Sequence, residues 1–171
     1  MITLYIAQSI DGYIATPDGS VDWLSPFEGL EEDYGYKVFL DTVDTLIIGR
    51  KTFDQIVSFG VWPFFDKKVY VLSRNNAPEN IPEGVTFFKE FEEIKKVMEV
   101  SKGNAWLVGG GEIIKLFLES SSIDELILST IPVMLGDGIP LFPKGSYKGN
   151  WSFSEIKTYK NGLITAIYNK S

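Results

Sequence analysis

Short apolar segments alternate with amphipathic segments along most of the chain, and this alternation limits the possible folds more than any other feature. Residues 45–49 and 105–108 are apolar runs of strand length. Each is followed by a segment with the apolar spacing of a helix, at 51–57 and at 112–119. Parallel strands require crossover segments of this kind, and their sheet is covered on both faces. The sequence therefore predicts an α/β fold with three layers, α/β/α, around a mostly parallel sheet.

The rest of the chain extends the same pattern. Further strands are predicted at residues 2–8, 68–73, 85–88 and 125–131, and further helices at 31–42 and 90–101. The carboxy-terminal segments 151–159 and 163–168 flank Asn161-Gly162, a pair typical of a hairpin turn. An antiparallel hairpin is therefore expected at one edge of the sheet, which makes the sheet mixed. No repeat or linker divides the chain, so we expect one domain over residues 1–171.

Composition excludes several kinds of chemistry and partner. The chain has no cysteine and no histidine, which excludes thiolate nucleophiles, Ser-His-Asp triads and zinc–thiolate sites, and no metal site is expected. Its net charge of −7 argues against a nucleic-acid partner. No apolar run reaches the ~18 residues of a membrane span, so no membrane partner is expected. The amino terminus lacks the basic region of a signal peptide, and a cytoplasmic location is expected.

Of the 16 basic residues only two are arginines, and both follow a predicted strand. Arg50 comes directly after residues 45–49, and Arg74 comes directly after residues 68–73. Ligands of open α/β sheets bind at the carboxyl ends of the strands, and guanidinium groups suit phosphates. The pattern suggests a phosphorylated ligand. The alternative is a pair of surface salt bridges, each of which contributes about 0–1 kcal/mol.

Three consecutive glycines, Gly109, Gly110 and Gly111, separate the strand at 105–108 from the helix at 112–119. Glycines let the backbone approach a ligand closely, and the start of the following helix is a natural seat for pyrophosphate. The spacing is not that of the Gly-x-Gly-x-x-Gly dinucleotide fingerprint. A tight turn with close helix packing is the alternative interpretation.

Together these motifs resemble one family. The chain contains Ile47-Ile48-Gly49-Arg50 with Thr52-Phe53, then Leu72-Ser73-Arg74, then Val108-Gly109-Gly110-Gly111, in this order. This combination resembles dihydrofolate reductase and the related reductase domain of riboflavin biosynthesis. The stretch Ser9-Ile10-Asp11-Gly12-Tyr13-Ile14-Ala15 and the loop at 135–142 look closer to the riboflavin-type group. The resemblance implies a mixed eight-stranded sheet and NADPH as the hydride donor.

The resemblance also assigns positions for NADPH. Arg50 and Thr52 match the Gly-Arg-x-Thr phosphate motif, Ala7 matches the small residue beside the nicotinamide, and Arg74 matches the site of the 2′-phosphate. The full set of implied cofactor positions is Ala7, Gly49, Arg50, Lys51, Thr52, Leu72, Ser73, Arg74, Val108, Gly109, Gly110, Gly111, Glu112, Ile113 and Ile114. An NAD site would place an acidic residue on the ribose, whereas arginine suits a 2′-phosphate, so NADPH is favoured over NADH.

Three residues are candidates on the substrate side. Counting back from Gly49 without a gap places Asp33 at the family's catalytic carboxylate. On the predicted helix Asp33 would be partly buried with a raised pKa, which would make it a proton source or a partner for a pterin-like ring. The alternative is a carboxylate that complements the helix dipole. Trp23 resembles the tryptophan of the mobile active-site loop, and Asp11 is a further candidate, although Asp-Gly is also a turn signal.

The resemblance therefore implies an NADPH-dependent reductase of a small pteridine- or pyrimidine-like heterocycle. The riboflavin-type reaction converts the ribosylamino group of 5-amino-6-(5-phosphoribosylamino)uracil to ribitylamino. Two alternatives stay open, namely dihydrofolate reductase itself and a non-catalytic NADP(H)-binding protein. The terminal hairpin could pair with a second copy to form a homodimer, as in related reductases.

Overall fold

The structure is a computed structural model that describes residues 1–28 and 31–171. Its strands are β1 (Ile2–Ser9), β2 (Tyr13–Ala15), β3 (Thr45–Gly49), β4 (Lys68–Leu72), β5 (Val85–Phe88), β6 (Ala105–Gly109), β7 (Glu125–Ile131), β8 (Ile139–Pro140), β9 (Trp151–Thr158) and β10 (Ile164–Lys170). Its α-helices are α1 (Tyr36–Asp41), α2 (Arg50–Ser58), α3 (Phe91–Val100) and α4 (Gly111–Glu119), and a 3-10 helix spans Asp22–Phe27. Within these residues no helix is long and apolar enough to cross a membrane.

Eight strands form one sheet in the order β5-β4-β3-β6-β1-β7-β10-β9. The strands from β5 to β7 run parallel, whereas β10 is antiparallel to both β7 and β9. Parallel strands end at the same edge of the sheet. We call this edge, where β1, β3, β4, β6 and β7 end, the carboxyl edge. The predicted mixed sheet with a carboxy-terminal antiparallel hairpin is confirmed.

Alternate side chains of the strands pack into two cores, one on each face of the sheet. On one face Ile47 and Leu107 lie among the apolar residues of α3 and α4, including the fully buried Phe117. On the other face Leu46 packs with Phe53 of α2 and with the apolar side of α1. Full burial of a large apolar side chain contributes roughly 1.5–3 kcal/mol. The two cores therefore confirm the predicted three layers. They also hold α2 and α4 against opposite faces of the sheet, which positions the first residues of both helices.

The helix predicted over residues 31–42 is shorter in the structure, where α1 spans only Tyr36–Asp41. Tyr34 and Gly35 have φ values of 57° and 82°, a backbone conformation that a right-handed helix does not contain. The prediction that Asp33 lies on this helix is therefore wrong. Asp33 lies in the turn that precedes α1, which changes its surroundings at the candidate site.

The Gly/Pro-rich segment after β7, expected as a loop, contains the short strand β8, which pairs antiparallel with β2. Gly138 precedes β8, and a Cβ on this glycine would collide with the Ala15 carbonyl oxygen. Ile139 of β8 also lies against the start of α4, where a Cβ on Gly111 would be 3.2 Å from Ile139 Cγ2. The small sheet therefore packs the segment after β7 against the carboxyl edge.

β9 forms the outer edge of the large sheet and is exposed along almost its whole length. Phe153 and Ile156 of this strand are 60% and 55% exposed. An unpaired edge strand offers backbone groups that a second chain can bind. The homodimer through the hairpin stays a prediction.

Candidate active site

Two helices begin side by side at the carboxyl edge. α2 begins at Arg50 directly after β3, and α4 begins at Gly111, with only Gly110 between it and β6. β3 and β6 are neighbours in the sheet, with Ile48 opposite Gly109. Within residues 1–28 and 31–171, no side chain caps either helix start. The first N–H groups and the positive dipole ends of two helices therefore share one region, an arrangement that favours phosphate.

Glycines allow the backbones before the two helices to lie close together. A Cβ built on Gly49 would be 3.7 Å from both the Gly109 carbonyl oxygen and the Gly110 nitrogen, and one built on Gly110 would be 3.6 Å from Thr52 Oγ1. Gly109 has a φ of 130°, a backbone conformation that residues other than glycine rarely adopt. We call Gly49 and Gly109–Gly111 the glycine cradle. Without side chains at these positions, a pyrophosphate can approach backbone N–H groups directly.

Arg50 begins α2 beside the cradle, and its guanidinium group already has protein partners. Nε donates to both carboxylate oxygens of Asp54 at 2.9 Å, and Nη1 donates to the Asn76 carbonyl oxygen at 3.0 Å. The guanidinium carbon lies 5.7 Å from the centre of the Phe87 ring. For Arg50 Nε, the alternative interpretation of a surface salt bridge is therefore correct. In the described part of the chain Nη2 has no hydrogen-bond partner, so this donor is left for a ligand.

Ser73 and Arg74 follow β4 at the same edge. Ser73 is buried, and its hydroxyl donates to the Asn75 carbonyl oxygen at 3.0 Å, while its backbone N–H donates to the Phe88 carbonyl oxygen at 2.9 Å. These bonds shape the turn after β4. Arg74 is exposed, and no carboxylate of the described residues lies within 4.0 Å of it. The salt-bridge alternative therefore does not apply to Arg74.

The other predicted cofactor positions surround the cradle at different depths. Lys51 and Glu112 are exposed in the first turns of α2 and α4. The half-buried positions are Ala7, Leu72 and Val108. Ile113 and Ile114 are buried and lie under the cradle, because Ile113 Cγ2 is 3.9 Å from a Cβ built on Gly49 and Ile114 Cδ1 is 3.7 Å from one built on Gly109. These two isoleucines support the glycines and present no polar group.

Asp11 connects the end of β1 to the segment after β7. Its Oδ1 accepts hydrogen bonds from the Ser9 hydroxyl at 2.6 Å and the Leu135 N–H at 3.2 Å, and its Oδ2 accepts the Gly136 N–H at 2.7 Å. The Ser9 hydroxyl first, and then the two backbone groups, lower the pKa of Asp11 below its ordinary value of 3.8. Asp11 therefore holds a loop at the carboxyl edge, beyond the simple turn that Asp-Gly indicates.

Asp11→Asn is expected to lower the melting temperature at neutral pH, because an amide accepts these hydrogen bonds less well than a carboxylate. The folded state depresses the pKa of Asp11, so its stabilising contribution is complete above about pH 4 and is lost as the pH falls through the folded pKa. The difference in melting temperature between wild type and variant should therefore shrink from pH 7 towards pH 3. Asp41→Asn, in an exposed pair with Lys37, is the control. A difference that does not change with pH would contradict this account.

Asp33 is exposed, and both of its carboxylate oxygens accept backbone N–H groups. Oδ1 accepts from Gly35 at 2.9 Å and Oδ2 accepts from Lys37 at 3.1 Å. These two hydrogen bonds, led by that of Gly35, lower the pKa of Asp33 below its ordinary value of 3.8. The predicted partial burial and raised pKa are wrong, because the residue precedes α1 and binds the backbone at the helix start. Its carboxylate stays ionised at neutral pH, in agreement with the helix-dipole alternative.

Trp23 lies half-buried in the 3-10 helix Asp22–Phe27. Its indole Nε1 is buried and has no hydrogen-bond partner within residues 1–28 and 31–171. Leaving a buried donor unpaired costs about 1–3 kcal/mol. Trp62 has the same property, but its ring packs in the core against Phe53 and Phe64. The Trp23 N–H is therefore a buried donor that no described group satisfies, and its place in an active-site loop stays a prediction.

Three tyrosines near Asp33 were not predicted as site residues. Tyr5 lies in β1 two residues before Ala7, Tyr36 begins α1, and Tyr159 follows β9. Burial, followed by the charges of Tyr159 and Asp33, raises the pKa of Tyr5 to about 12. Burial also raises the pKa of Tyr36 and Tyr159. The phenols come from three segments that are distant in sequence, so no local motif signals them.

A cleft of about 860 Å³ lies at the opposite edge of the sheet. Its lining includes the starts of β3 and β4 together with residues 83–84 and 101–103. It contains no residue of the glycine cradle and neither arginine. Since ligands of open α/β sheets bind outside the carboxyl ends of the strands, the carboxyl edge is the candidate site and this open cleft is not.

Known proteins share both the sequence pattern and the fold. The family model of dihydrofolate reductase matches residues 29–166. The uncharacterized protein YwjB of Bacillus subtilis (strain 168) is 45% identical over 143 residues, which cover 81% of this chain and 80% of YwjB. These matches extend over the segments that form the cradle and carry both arginines.

Solved structures are similar over almost the entire chain. A protein named for riboflavin biosynthesis from Shewanella sp. PV-4 has a TM-score of 0.87 and 29% identity, with 99% of this chain and 98% of that chain covered. Dihydrofolate reductase from Enterococcus faecalis, solved with NADP(H), has a TM-score of 0.71 and 21% identity, with 100% and 96% covered. The second likeness concerns the fold. Because the family model matches most of its length, the chain belongs to the dihydrofolate reductase family.

Proposed function

We propose that the protein is an NADPH-dependent reductase of a pteridine- or pyrimidine-like heterocycle, similar to the 5-amino-6-(5-phosphoribosylamino)uracil reductases. The observation that carries this proposal is the glycine cradle with Arg50 and Arg74 at the same edge. Two helix starts and two guanidinium groups suit a ligand with a pyrophosphate and a further phosphate. The Enterococcus faecalis enzyme was solved with NADP(H), and the Shewanella protein is named for riboflavin biosynthesis, which supports both halves of the proposal.

The residues at the carboxyl edge fit NADPH. No Cβ atom occupies the space between the two backbones of the cradle, because these positions are glycines. The backbone N–H groups of the cradle would therefore be open to the pyrophosphate and would hold it. Arg74 would bind the 2′-phosphate with guanidinium donors that have no partner among residues 1–28 and 31–171, and Ala7 would lie beside the nicotinamide. When bound, NADPH supplies a hydride to the carbon of a C=N bond, and one proton from the medium completes the N–H, so that the substrate gains two hydrogens in total.

We further propose that Asp33 acts at the substrate end as an ionised carboxylate. The Asp33 carbonyl oxygen accepts the Tyr36 N–H at 2.9 Å, and the Tyr159 hydroxyl donates to the carbonyl oxygen of the next residue, Tyr34, at 3.1 Å, so Asp33 lies beside these tyrosines. A fixed negative charge at this place stabilises the positive charge of a protonated C=N nitrogen in the substrate. Because the pKa of Asp33 is lowered, the proton comes from water and not from the Asp33 carboxyl.

The test is oxidation of NADPH, followed by its absorbance, with 5-amino-6-(5-phosphoribosylamino)uracil and with dihydrofolate. The pyrimidine is expected to be the faster substrate. Asp33→Asn should lower kcat/KM by about 100-fold because the negative charge is lost. The Kd for NADPH should stay unchanged, since Asp33 lies in the turn before α1 and is not part of the glycine cradle, although the amide can accept only one of the two backbone N–H groups. Faster turnover of dihydrofolate would favour dihydrofolate reductase. Tight NADPH binding without turnover of either compound would favour the non-catalytic NADP(H)-binding protein.

A further inference from the structure

Asp33 begins a tight turn directly before α1, and this turn has an unusual backbone. The Tyr36 N–H donates to the Asp33 carbonyl oxygen at 2.9 Å across the two residues between them. These two residues are Tyr34 and Gly35, whose φ values of 57° and 82° are typical of a type I′ turn. Glycine, asparagine and aspartate dominate such positions, and a tyrosine in this conformation is strained. Tyr34 therefore needs contacts from outside the turn to keep this conformation.

The turn of the carboxy-terminal hairpin supplies these contacts. The Tyr159 hydroxyl donates to the Tyr34 carbonyl oxygen at 3.1 Å, and the two rings meet edge-on with centres 5.0 Å apart. Asn161 Nδ2 donates to the Tyr34 hydroxyl at 2.6 Å. Tyr34 is thus held at its backbone, its ring and its hydroxyl by residues more than 120 positions later in the chain. We call Tyr34, Tyr159 and Asn161 the clip.

The hairpin side of the clip is firmly attached to the large sheet. The Tyr159 N–H donates to the Leu163 carbonyl oxygen at 3.0 Å, and the Gly162 N–H donates to the Tyr159 carbonyl oxygen at 2.9 Å. Asn161 Oδ1 accepts the Leu163 N–H at 3.3 Å, and Leu163 is buried directly before β10. Both donors of the clip therefore have fixed positions from which they hold the turn before α1.

The orientation of the Asp33 carboxylate follows from the conformation of this turn. Its two oxygens accept the N–H groups of Gly35, within the turn, and of Lys37, one residue after it. Within residues 1–28 and 31–171 the carboxylate has no other hydrogen-bond partner. A change in the turn would therefore move the charge, because no side chain elsewhere holds it.

We propose that the clip positions the Asp33 carboxylate for catalysis, with Tyr159 and Asn161 as positioning residues that act through Tyr34. This inference rests on the proposed function, in which Asp33 stabilises the protonated nitrogen of the substrate. It adds that the terminal hairpin, which contains no residue of the glycine cradle, affects turnover. Stabilisation by a charge requires that the charge is held in place beforehand, so a loosened turn lowers kcat without weakening cofactor binding.

Amide hydrogen exchange tests the clip without any substrate. The N–H groups of Gly35, Tyr36 and Lys37 all donate to Asp33, so their exchange rates report how often the turn opens. Tyr159→Phe keeps the ring and removes the hydrogen bond that the hydroxyl donates to the turn. Exchange at these three N–H groups should become about tenfold faster, as expected for one lost hydrogen bond.

Two further variants complete the exchange experiment. Tyr34→Phe removes the hydroxyl that Asn161 binds, and it should accelerate exchange in the same turn if Tyr159→Phe does not fold. Tyr168→Phe is the matched control from the same hairpin, because Tyr168 is also half-buried but packs against Phe153 and the core on the other face of the sheet. It should leave the exchange rates of the turn unchanged.

Kinetics then separate a positioning role from a merely structural one. With the faster of the two substrates given above, Tyr159→Phe should lower kcat about tenfold and leave the Kd for NADPH unchanged. In an Asp33→Asn background, Tyr159→Phe should cause no further loss, because a positioning residue acts only through the group that it positions. A merely structural role would instead lower kcat by the same factor in both backgrounds.

Unchanged exchange in both Tyr159→Phe and Tyr34→Phe, or an equal loss of kcat in the two backgrounds, would overturn the inference. A wild type without turnover, or an Asp33→Asn variant with full turnover, would instead overturn the proposed function. The exchange rates would in that case still show whether the clip holds the turn, so the two failures are distinguishable.

Discussion

Replacing both Arg50 and Arg74 with alanine is expected to raise the Kd for NADPH about 100- to 1,000-fold and to change the Kd for NADH only a few-fold. Each hydrogen bond from a charged group contributes about 1.5–3 kcal/mol, which corresponds to roughly 10- to 100-fold in affinity. Arg74 should carry the larger share, because Arg50 Nε is already bound to Asp54. The measurement is a fluorescence titration of both cofactors with both single variants and the double variant.

Lys102→Ala is the control for this prediction, because Lys102 lines the cleft at the opposite edge of the sheet. It removes one positive charge without touching the carboxyl edge, so its NADPH affinity should match that of wild type. An equal loss of NADPH and NADH affinity in the arginine variants would mean that the arginines do not recognise the 2′-phosphate. An unchanged Kd for both cofactors would show that the arginines are surface residues without a phosphate ligand.

Gly109→Ala is expected to lower the free energy of unfolding by about 1–3 kcal/mol and to abolish most NADPH binding. The φ of 130° is strained for any residue with a Cβ, and that strain is the source of the destabilisation. The nearest side chains to the added methyl are Ile114 and Ile6, at ordinary contact distances of 3.7 and 3.9 Å, so steric overlap adds little. The affinity for NADPH falls because the strained backbone moves the N–H groups of the glycine cradle away from the pyrophosphate. Urea denaturation and NADPH titration measure the two effects.

Gly60→Ala provides the matched comparison for this variant. Gly60 also has a positive φ, 85°, but nothing lies within 4 Å of an added Cβ, and it follows α2 at the end away from the cradle. It should lose stability and keep its affinity for NADPH. If Gly109→Ala and Gly60→Ala lost stability alike and both retained binding, the glycine cradle would have no role in cofactor recognition.

The large sheet was predictable because its central strands are short continuous apolar runs. β3 and β7 have the predicted bounds, 45–49 and 125–131, since both faces of each strand are covered and local composition alone marks them. The segment before β3 was not predictable in the same way. Tyr34 adopts a positive φ while Tyr159 and Asn161, more than 120 residues away, bind its backbone and hydroxyl. No pattern of neighbouring residues signals such a contact, and the predicted helix is therefore too long.

The candidate site likewise contains residues that local motifs predict and residues whose surroundings depend on the tertiary fold. The cradle and the arginines lie in local motifs at strand ends, so the sequence was sufficient to expect that Gly49, Arg74 and Gly109 meet at one edge. The surroundings of Asp33 depend on how the turn before α1 folds, and burial was the wrong expectation for that reason. The ring of Tyr5 packs edge-on against Phe39 of α1 and lies beside Trp106 of β6, contacts that only the tertiary fold brings together.

The most direct test of the central claim is a crystal structure of the complex with NADP⁺. We expect the pyrophosphate on the backbone N–H groups of the glycine cradle and the 2′-phosphate within hydrogen-bond distance of the Arg74 guanidinium group. NADP⁺ bound instead in the cleft between Lys67, Lys68 and Gly103, or at any other place away from the cradle, would contradict the claim that this edge is the cofactor site.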